Sequence, residues 1–461
     1  MPSFKTFLSE VLRNQLLLLP ENTLSLPKCI QLVIGNESAD MDSIVSSVAL
    51  SYYLSLSPTP DISKNMKGKC IIPIFNIPTC DLRLRADCSY VLKNYLSLKD
   101  ISQDKNTLNE NKHLNIPGLF LDQIDLFKLA KKKQNNFPQL EVYLVDHNIL
   151  NKKHDFLNPF IKGIVDHHFD EKMHADANIR VVEPVGSCTS LITLLLQKRL
   201  KEINTTDYQN AIPRNLCMAL LAPILMDTSN LKANGKAKSA DIEAANWLIS
   251  LLSKYEDAEF KSEHFITNTK KKEIFEEDTL KISPEELYHN LSKLKSDISQ
   301  YSFLDILNKD YKQLDVKDAS GNNVVLGISS IPERLQKLLT FHDVDGIKTG
   351  VDSFISELKL DLFVMMTHGT IVSPNSEKTF GREFTISFGP KITTHTREEI
   401  LEKVKSSPEL DLENFPQNNG NTTNSEITYF KQNCIASSRK QVSPILTSII
   451  SHLKAYKTSP L

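Results

Sequence analysis

The chain has 461 residues, 40% of them apolar and 24% charged, and 54 basic residues against 56 acidic ones leave a formal net charge of −2. These are the values of a globular protein with room for two or three domains. They exclude a fibrous repeat, wholesale disorder and a small disulfide scaffold, and the near-neutral balance argues against a broad nucleic-acid surface. The seven cysteines are irregularly spaced with no CxxC pair, which predicts reduced thiols and a cytoplasmic setting. No run of about 18 apolar residues is present, so no membrane span is expected. The apolar stretch Leu16 to Leu19 is short and preceded by Glu10 and Arg13, so a secretory leader is not expected either.

In chain order, residues 5–19 have the spacing of a short amphipathic helix. Cys29 to Gly35 (CIQLVIG) predicts a buried strand, and DSIVSSVALSYYLSL from Asp42 a helix after a tight loop. A second strand is expected at Cys70 to Ile77. Residues 98–136 are polar and Lys-rich, with a helix expected over LFLDQIDLFKLA. Strands follow at Glu141 to Val145 and Ile161 to Val165, each running directly into an aspartate. Ser187 to Leu200 and Arg214 to Met226 read as buried helices, the second also stopping at an aspartate. Strands alternating with helices predict a parallel α/β sheet. Residues 232–300 are charged and helical in pattern and read as a connection. Beyond them YKQLDV, NNVVLGISSI, LDLFVMMTHG and REFTISFG predict strands of a smaller second α/β domain, and residues 406–427 a polar surface loop.

Ligands of open parallel sheets bind beyond the carboxyl ends of the strands. Four acidic or histidine clusters close apolar elements in this chain: GNESADMDS (Asn36, Asp40, Asp42), VDHN (Asp146, His147), VDHH (Asp166, His167, His168) and MDTSN (Asp227). One D-x-D caps a helix as readily as it holds an ion, and a lone His pair is ordinarily surface. Four such clusters together point to carboxylate oxygens and imidazoles around Mg²⁺ or Mn²⁺. Paired ions of that kind serve phosphoryl transfer to water.

The ordered set GNESADMDS, LVDHN, IVDHH, GSCTS and LMDTSN resembles the DHH phosphoesterase superfamily over about residues 30–231. ILNKDYKQL and SSRKQ in the second half resemble the DHH-associated (DHHA2) domain of type II inorganic pyrophosphatases and fungal cytosolic exopolyphosphatases. Asn36 stands where type II pyrophosphatases carry histidine and where yeast-type exopolyphosphatases carry asparagine, and DLRLRADCSYVL and HHFDEKMHADA are also similar to the latter. The resemblance implies a DHH domain at 1–255, a helical linker at 256–284, a DHHA2 domain at 285–461, and an active site in the cleft between the domains. It implies an exopolyphosphatase releasing orthophosphate from the ends of linear polyphosphate, with nucleoside tetraphosphates as side substrates. A type II pyrophosphatase or prune-type short-chain polyphosphatase is the alternative, and the intact aspartates speak against a non-catalytic phosphate binder. A monomer is expected, with no nucleic-acid or membrane partner.

By the same resemblance Asp42, Asp146, His167 and Asp227 hold one ion, and Asp40 and Asp146 a second, weaker one. Asn36 either approaches the second ion with its amide oxygen or loses contact with it; an amide in place of imidazole favours Mg²⁺. Asp166 is expected to orient the histidines. His168 is expected to protonate the leaving group or stabilise its charge, and His147 is a weaker phosphate ligand. Four metal-binding aspartates balance two divalent ions and leave nothing for the substrate's charge, so the second domain must supply cations: Arg439, Lys440 and Lys312, beside Ser438. Arg83, Arg85, Lys131 to Lys133, Lys152, Lys153 and Lys270 to Lys272 either line a channel for longer chains or are solvated surface. The helix start at Ser187, Thr189 and Ser190 offers N–H groups to a phosphate or is a plain cap. Of the remaining histidines only His174, close to the third motif, stands out.

Overall fold

A computed structural model of the chain describes residues 3–19, 27–56, 69–97, 115–131, 139–205, 207–232, 236–256, 282–299, 301–372, 378–415 and 427–453. They fall into two compact units, Met1–Lys295 and Ser296–Leu461.

The first unit contains α1 (Phe4–Leu18), β1 (Cys29–Ile34), α2 (Met41–Ser55), β2 (Lys69–Phe75), α3 (Ala86–Val91), β3 (Leu119–Phe120), α4 (Leu126–Lys131), β4 (Gln139–Val145), β5 (Ile161–Asp166) and β6 (Ile179–Val182). Helices α5 (Cys188–Glu202), α6 (Tyr208–Ala211), α7 (Arg214–Asp227), α8 (Ser239–Glu256) and α9 (Pro284–Ser296) follow. The strands form one sheet in the order β3-β2-β1-β4-β5-β6, and every pair is parallel. A parallel sheet is covered on both faces, which is why β1 is buried at every position and reads as an unbroken apolar run. Val33, Phe75, Tyr143 and Val165 pack on one side with α1, α2, α5, α7 and α8. Ile30, Leu32, Ile72 and Leu144 pack on the other, with Leu126 and Leu157.

Three expectations change. The stretch LFLDQIDLFKLA has a 3-10 turn at Leu121–Gln123 and is α-helical only from Leu126, because Leu119–Phe120 joins β2 as an edge strand and the Phe120 ring lies 5.2 Å from that of Phe75. The short edge strand β6, with no fully buried residue, gave no signal in the sequence. The charged region after Lys232 is more than a connection. In α8, Ala244, Ala245, Leu248, Leu251 and Leu252 are core, and α9 adds Leu287 and Leu291 to the same cluster. The first unit therefore runs to Lys295, past the start expected for the second domain. The linker expected at 256–284 lies outside the described residues except at its two ends.

The second unit contains α10 (Phe303–Lys309), β7 (Tyr311–Lys317), β8 (Asn323–Ile331), α11 (Leu335–Phe341), α12 (Val344–Leu358), β9 (Leu362–Val372) and β10 (Lys378–Phe388). It ends with α13 (Thr394–Lys405), β11 (Leu412–Asn414), β12 (Ile427–Gln432) and α14 (Arg439–Ser451). Its sheet runs β11-β12-β10-β9-β8-β7, antiparallel except for β8 against β9. The polar loop expected at 406–427 contains β11, and its residues 416–426 lie outside the described ones. All seven cysteines are free, with Cys29, Cys70, Cys88, Cys188 and Cys217 buried. No helix among the described residues is long and apolar enough to cross a membrane.

Candidate active site

The loops leaving the carboxyl ends of β1, β4 and β5 carry the first three motifs. After β1 the chain turns sharply into α2. Any side chain at Gly35 would collide with Ser43, whose Oγ accepts the Asn36 N–H at 2.7 Å. Asp40 caps α2, its Oδ1 accepting the Ser43 N–H at 3.1 Å. Within the turn Asn36 Oδ1 accepts from the N–H groups of Ser38 (2.9 Å) and Ala39 (3.1 Å), and Ala39 takes the left-handed φ of 41°. Arg85 clamps this turn from below. Its Nε and Nη2 donate to the Ser38 carbonyl at 2.9 and 2.6 Å, and its Nη1 to the Asp81 carbonyl at 3.0 Å. Arg85 is buried and therefore does not line a substrate channel.

Asp146 follows β4 in the left-handed region, φ 62°, and its carboxylate is buried. His167 Nε2 lies 3.1 Å from Asp146 Oδ1 and 3.8 Å from Asp42 Oδ2, while its Nδ1 is 3.1 Å from the Val185 carbonyl. A ring whose Nδ1–H is given to a carbonyl presents Nε2 as the ligand atom. His168 Nδ1 is 2.8 Å from Asp166 Oδ1 and 3.7 Å from Asp146 Oδ1. Asp166 also accepts the N–H groups of His167 (2.8 Å) and His168 (3.2 Å) and the Asn148 amide (2.5 Å). One ligand atom each from Asp146, Asp166, His167 and His168 lie within 4.8 Å of one another. Asn36 turns its amide nitrogen, not its oxygen, to this group: Nδ2 donates to Asp146 Oδ2 at 2.6 Å. The oxygen is already engaged by the turn, so Asn36 acts here as a donor to a ligand carboxylate and not as a ligand.

Asp42 is held by the start of α5. Its Oδ1 accepts from Ser187 Oγ (2.8 Å), Thr189 Oγ1 (2.6 Å) and the Thr189 N–H (2.9 Å), and its Oδ2 from the Cys188 N–H (2.7 Å). The helix start that the sequence offered to a phosphate is thus taken by Asp42, which leaves Oδ2 its free side toward His167. A second buried acid sits behind. Asp241 accepts the N–H groups of Gly186 (2.8 Å), Ser187 (3.2 Å) and Lys238 (2.7 Å) and the Ser190 hydroxyl (2.6 Å). A side chain at Gly186 would collide with Asp241 and Thr228.

The acids of the cluster outnumber the cations beside them, Lys295 being a cation whose charge acts on Asp227. Burial and the charge of Asp40 push Asp146 well above the usual carboxylate range. Burial with Asp42 and Asp40 does the same to Asp227, the last residue of α7. Burial alone would lower His167, yet the hydrogen bond to Asp146 and the charges of Asp42 and Asp146 push it up to about 10. Burial would raise Asp166, but His168 and Asn148 hold it below the usual range. Burial lowers His147, whose Nδ1 lies 2.9 Å from the Val145 carbonyl. Mutually repelling buried carboxylates beside an imidazole fit a hard divalent cation.

The remaining sequence candidates lie elsewhere. In the second unit Lys312 is exposed on β7, and Arg439 opens α14. Arg439 Nη1 donates to the Asp310 carbonyl at 2.6 Å, and its Nη2 pairs with Asp310 Oδ1 at 2.7 Å. Ser438 caps α14 and donates to Gln441 Oε1 at 2.7 Å, and Lys440 is exposed. Lys153 pairs with Glu37 at 2.9 Å and Lys131 lies over the Phe127 ring, so these two are tied locally. Lys132, Lys133 and Lys270 to Lys272 lie outside the described residues. His174 Nε2 is 3.1 Å from Asn158 Oδ1. Arg85, Asn148, Asp241 and Asp310 carry much of the scaffolding, and no motif in the sequence pairs them with the residues they hold.

The DHH family N-terminal domain model matches residues 31–224 and the DHHA2 domain model residues 289–449. A Schizosaccharomyces pombe protein assigned as an exopolyphosphatase is 30% identical over 95% of this chain and 94% of its own length. The mouse protein Exopolyphosphatase PRUNE1 is 29% identical over 92% of this chain and 76% of its own. A solved Methanococcus jannaschii protein assigned to the family II inorganic pyrophosphatases aligns over 91% of this chain and 99% of its own, with 19% identity and a TM-score of 0.49. With both domains matched and a full-length relative at this identity, the chain belongs to the DHH family, among its DHHA2-bearing hydrolases of phosphoanhydrides.

Proposed function

We propose that the protein is an exopolyphosphatase, which hydrolyses the terminal phosphoanhydride bond of linear inorganic polyphosphate and releases orthophosphate. One observation carries the reading: Asn36 meets Asp146 through its amide nitrogen, which removes a ligand from the first motif and leaves a site of carboxylates and His167. The names of the full-length relatives agree with it.

Asp42, Asp146, His167 and Asp227 would hold one divalent ion, and Asp40 with Asp146 a second, weaker one; Mg²⁺ or Mn²⁺ suits this oxygen-rich set. Bound ions of this kind supply an acidified water and charge neutralisation at phosphorus. Everything else falls to the chain's own residues. Asp166 fixes the His168 ring through Nδ1, and the imidazolium form of a ring so held can donate Nε2–H to the leaving phosphate oxygen. Lys312, Arg439, Lys440 and Ser438 bind the phosphates of the chain end, Arg439 with the face of its guanidinium that Asp310 leaves open. His147, half-buried and engaged by a backbone carbonyl, keeps the second motif in place. Nucleoside tetraphosphates, with the same linear run of phosphates, are expected as side substrates.

The test is orthophosphate release with Mg²⁺ from long-chain polyphosphate, tripolyphosphate and pyrophosphate. Turnover of polyphosphate with little from pyrophosphate supports the proposal. Rapid pyrophosphate cleavage with no long-chain activity would move the chain to the pyrophosphatases, and preference for tripolyphosphate to the short-chain phosphatases.

A further inference from the structure

At the amino ends of the same sheet, opposite the acids, the first unit contains a cavity of about 260 Å³. Three cations line it: Arg13 of α1, Lys69 at the start of β2, and Arg199 in the last turn of α5. Glu10 is the one carboxylate in its wall among the described residues. The floor is apolar, with Phe7, Leu54, Ile71 and Ile179. Arg199 is half-buried and only partly engaged. Its Nη2 donates to Tyr53 Oη at 2.7 Å, its guanidinium lies 4.8 Å from the centre of the Tyr53 ring, and Nη1 is 3.6 Å from the Glu202 carboxylate. Its Nε is shielded from solvent and has no hydrogen-bond partner among the described residues.

The Nη1 and Nη2 groups of Arg199 keep N–H donors beyond the one bond to Tyr53 and the long contact to Glu202, and such charged donors bind a ligand oxygen strongly. Three cations of the described lining stand against Glu10, while Glu141 accepts from the lining Gln31 at 2.6 Å and Glu202 lies 3.6 Å from Arg199, too long for a strong pair. Arg13, Lys69 and Arg199 together offer the charged donors that a phosphate dianion takes. The apolar floor suits a body attached to that phosphate, and the volume suits a small one.

We propose that this cavity is a second ligand site, which takes a phosphate dianion carried on a small apolar or aromatic body such as a mononucleotide. The site does not depend on the polyphosphate reading of the acids. Two helices join the two places. α2 starts at Asp40 and Asp42 and ends at Tyr53 to Ser55 in the cavity wall; α5 starts at the donors to Asp42 and ends at Arg199. Each has fifteen residues and so spans about 22 Å. A ligand that fixes their last turns is linked through them to the acids, and the linkage is reciprocal.

The test is calorimetric titration of the full chain, freed of divalent metal, with adenosine 5′-monophosphate, inorganic phosphate and adenosine. We expect saturable binding of the monophosphate, weakened tenfold or more by Lys69→Glu and by Arg13→Glu. Both residues are exposed, and phosphatase activity without added nucleotide should be unchanged in either variant. Monophosphate binding at least tenfold tighter than orthophosphate assigns the phosphate to an ester; equal affinity assigns it to the free product ion. No saturable binding of either anion, adenosine binding as tightly as its monophosphate, or indifference to both variants would overturn the site. With the monophosphate bound, the Mn²⁺ dissociation constant should shift about fivefold or more; an unchanged Mn²⁺ titration would overturn the link through α2 and α5.

Discussion

The acids of the first unit and the bases of the second are held in opposite ways. Asp42, Asp146 and Asp166 are buried at the ends of regular elements, and each is held by hydrogen bonds from fixed neighbours. Lys312 and Lys440 lie exposed, and Arg439 is held by the backbone and carboxylate of one residue, Asp310. Ligand geometry around a hard cation tolerates little displacement, so its carboxylates need rigid support on several sides. Charge on a chain of phosphates is spread along its length, and flexible lysines can follow it. Rigidity should therefore govern turnover in the first unit, and charge should govern substrate affinity in the second.

Substitutions can break that division at either end. Asp146→Ala should lower kcat by about a thousandfold or more while circular dichroism stays that of the wild type, because Asp146 is the carboxylate we propose both ions share. Retained phosphate release would sink the metal reading altogether. Asp241→Ala touches no ligand atom, yet it strips acceptors from Gly186, Ser187, Ser190 and Lys238. It should cost about 2–4 kcal/mol in urea unfolding and weaken Mn²⁺ binding as well; a loss of stability with unaltered metal affinity would make Asp241 a plain structural acid. Arg439→Ala should raise KM by about ten- to a hundredfold, the worth of a charge-assisted pair. Asp310→Asn should raise it only a few-fold, since the carbonyl contact persists. If kcat fell and KM stayed fixed in both, the division between turnover and affinity would be wrong.

Two smaller effects sharpen the comparison. Asn36→His should shift preference from Mg²⁺ toward Mn²⁺ and raise the ratio of pyrophosphate to polyphosphate turnover by about tenfold, one imidazole for one amide. An unaltered metal profile would show that the amide donor to Asp146 does not set the preference. The second concerns pH. In metal-free protein His167 has its folded pKa raised to about 10, above the ordinary value near 6.5. The stabilisation it brings is fully present below about pH 6.5 and is lost as pH rises through about 10. Asp146 and Asp227, also raised, act in the same direction. The Tm of chelator-treated protein should therefore fall from about pH 6 to about pH 9 and fall less with Mg²⁺ present. A metal-free Tm that climbs over this range would contradict the protonation assigned to the pair.

The candidate acids were legible in the sequence because two simple rules meet there. Fully buried parallel strands write themselves as unbroken apolar runs, and the sites of such sheets lie where the runs stop; Asp146 and Asp166 sit at those stops. What holds the acids was not legible. Asp241 lies 55 residues from Gly186 in a stretch that looks like charged surface, and Arg85 reaches back 47 residues to Ser38. Neither has a local pattern, because a hydrogen bond between distant segments leaves no periodicity. The role of Asn36 was legible only halfway. Its place in the motif marked it as the departure from histidine, but only the turn formed by Ser38 and Ala39 shows that its oxygen is already engaged. The same limit explains β6 and α8: one lacks an apolar run, and the other hides its core face among charges.

The central claim is that hydrolysis starts from a free chain end. It is tested most directly with two polyphosphate samples of equal length, one with both terminal phosphates esterified and one with free ends. The account predicts steady orthophosphate release from the free-ended sample with Mg²⁺, and resistance of the blocked one. Comparable shortening of both samples, or release of internal fragments from the blocked one, would contradict it.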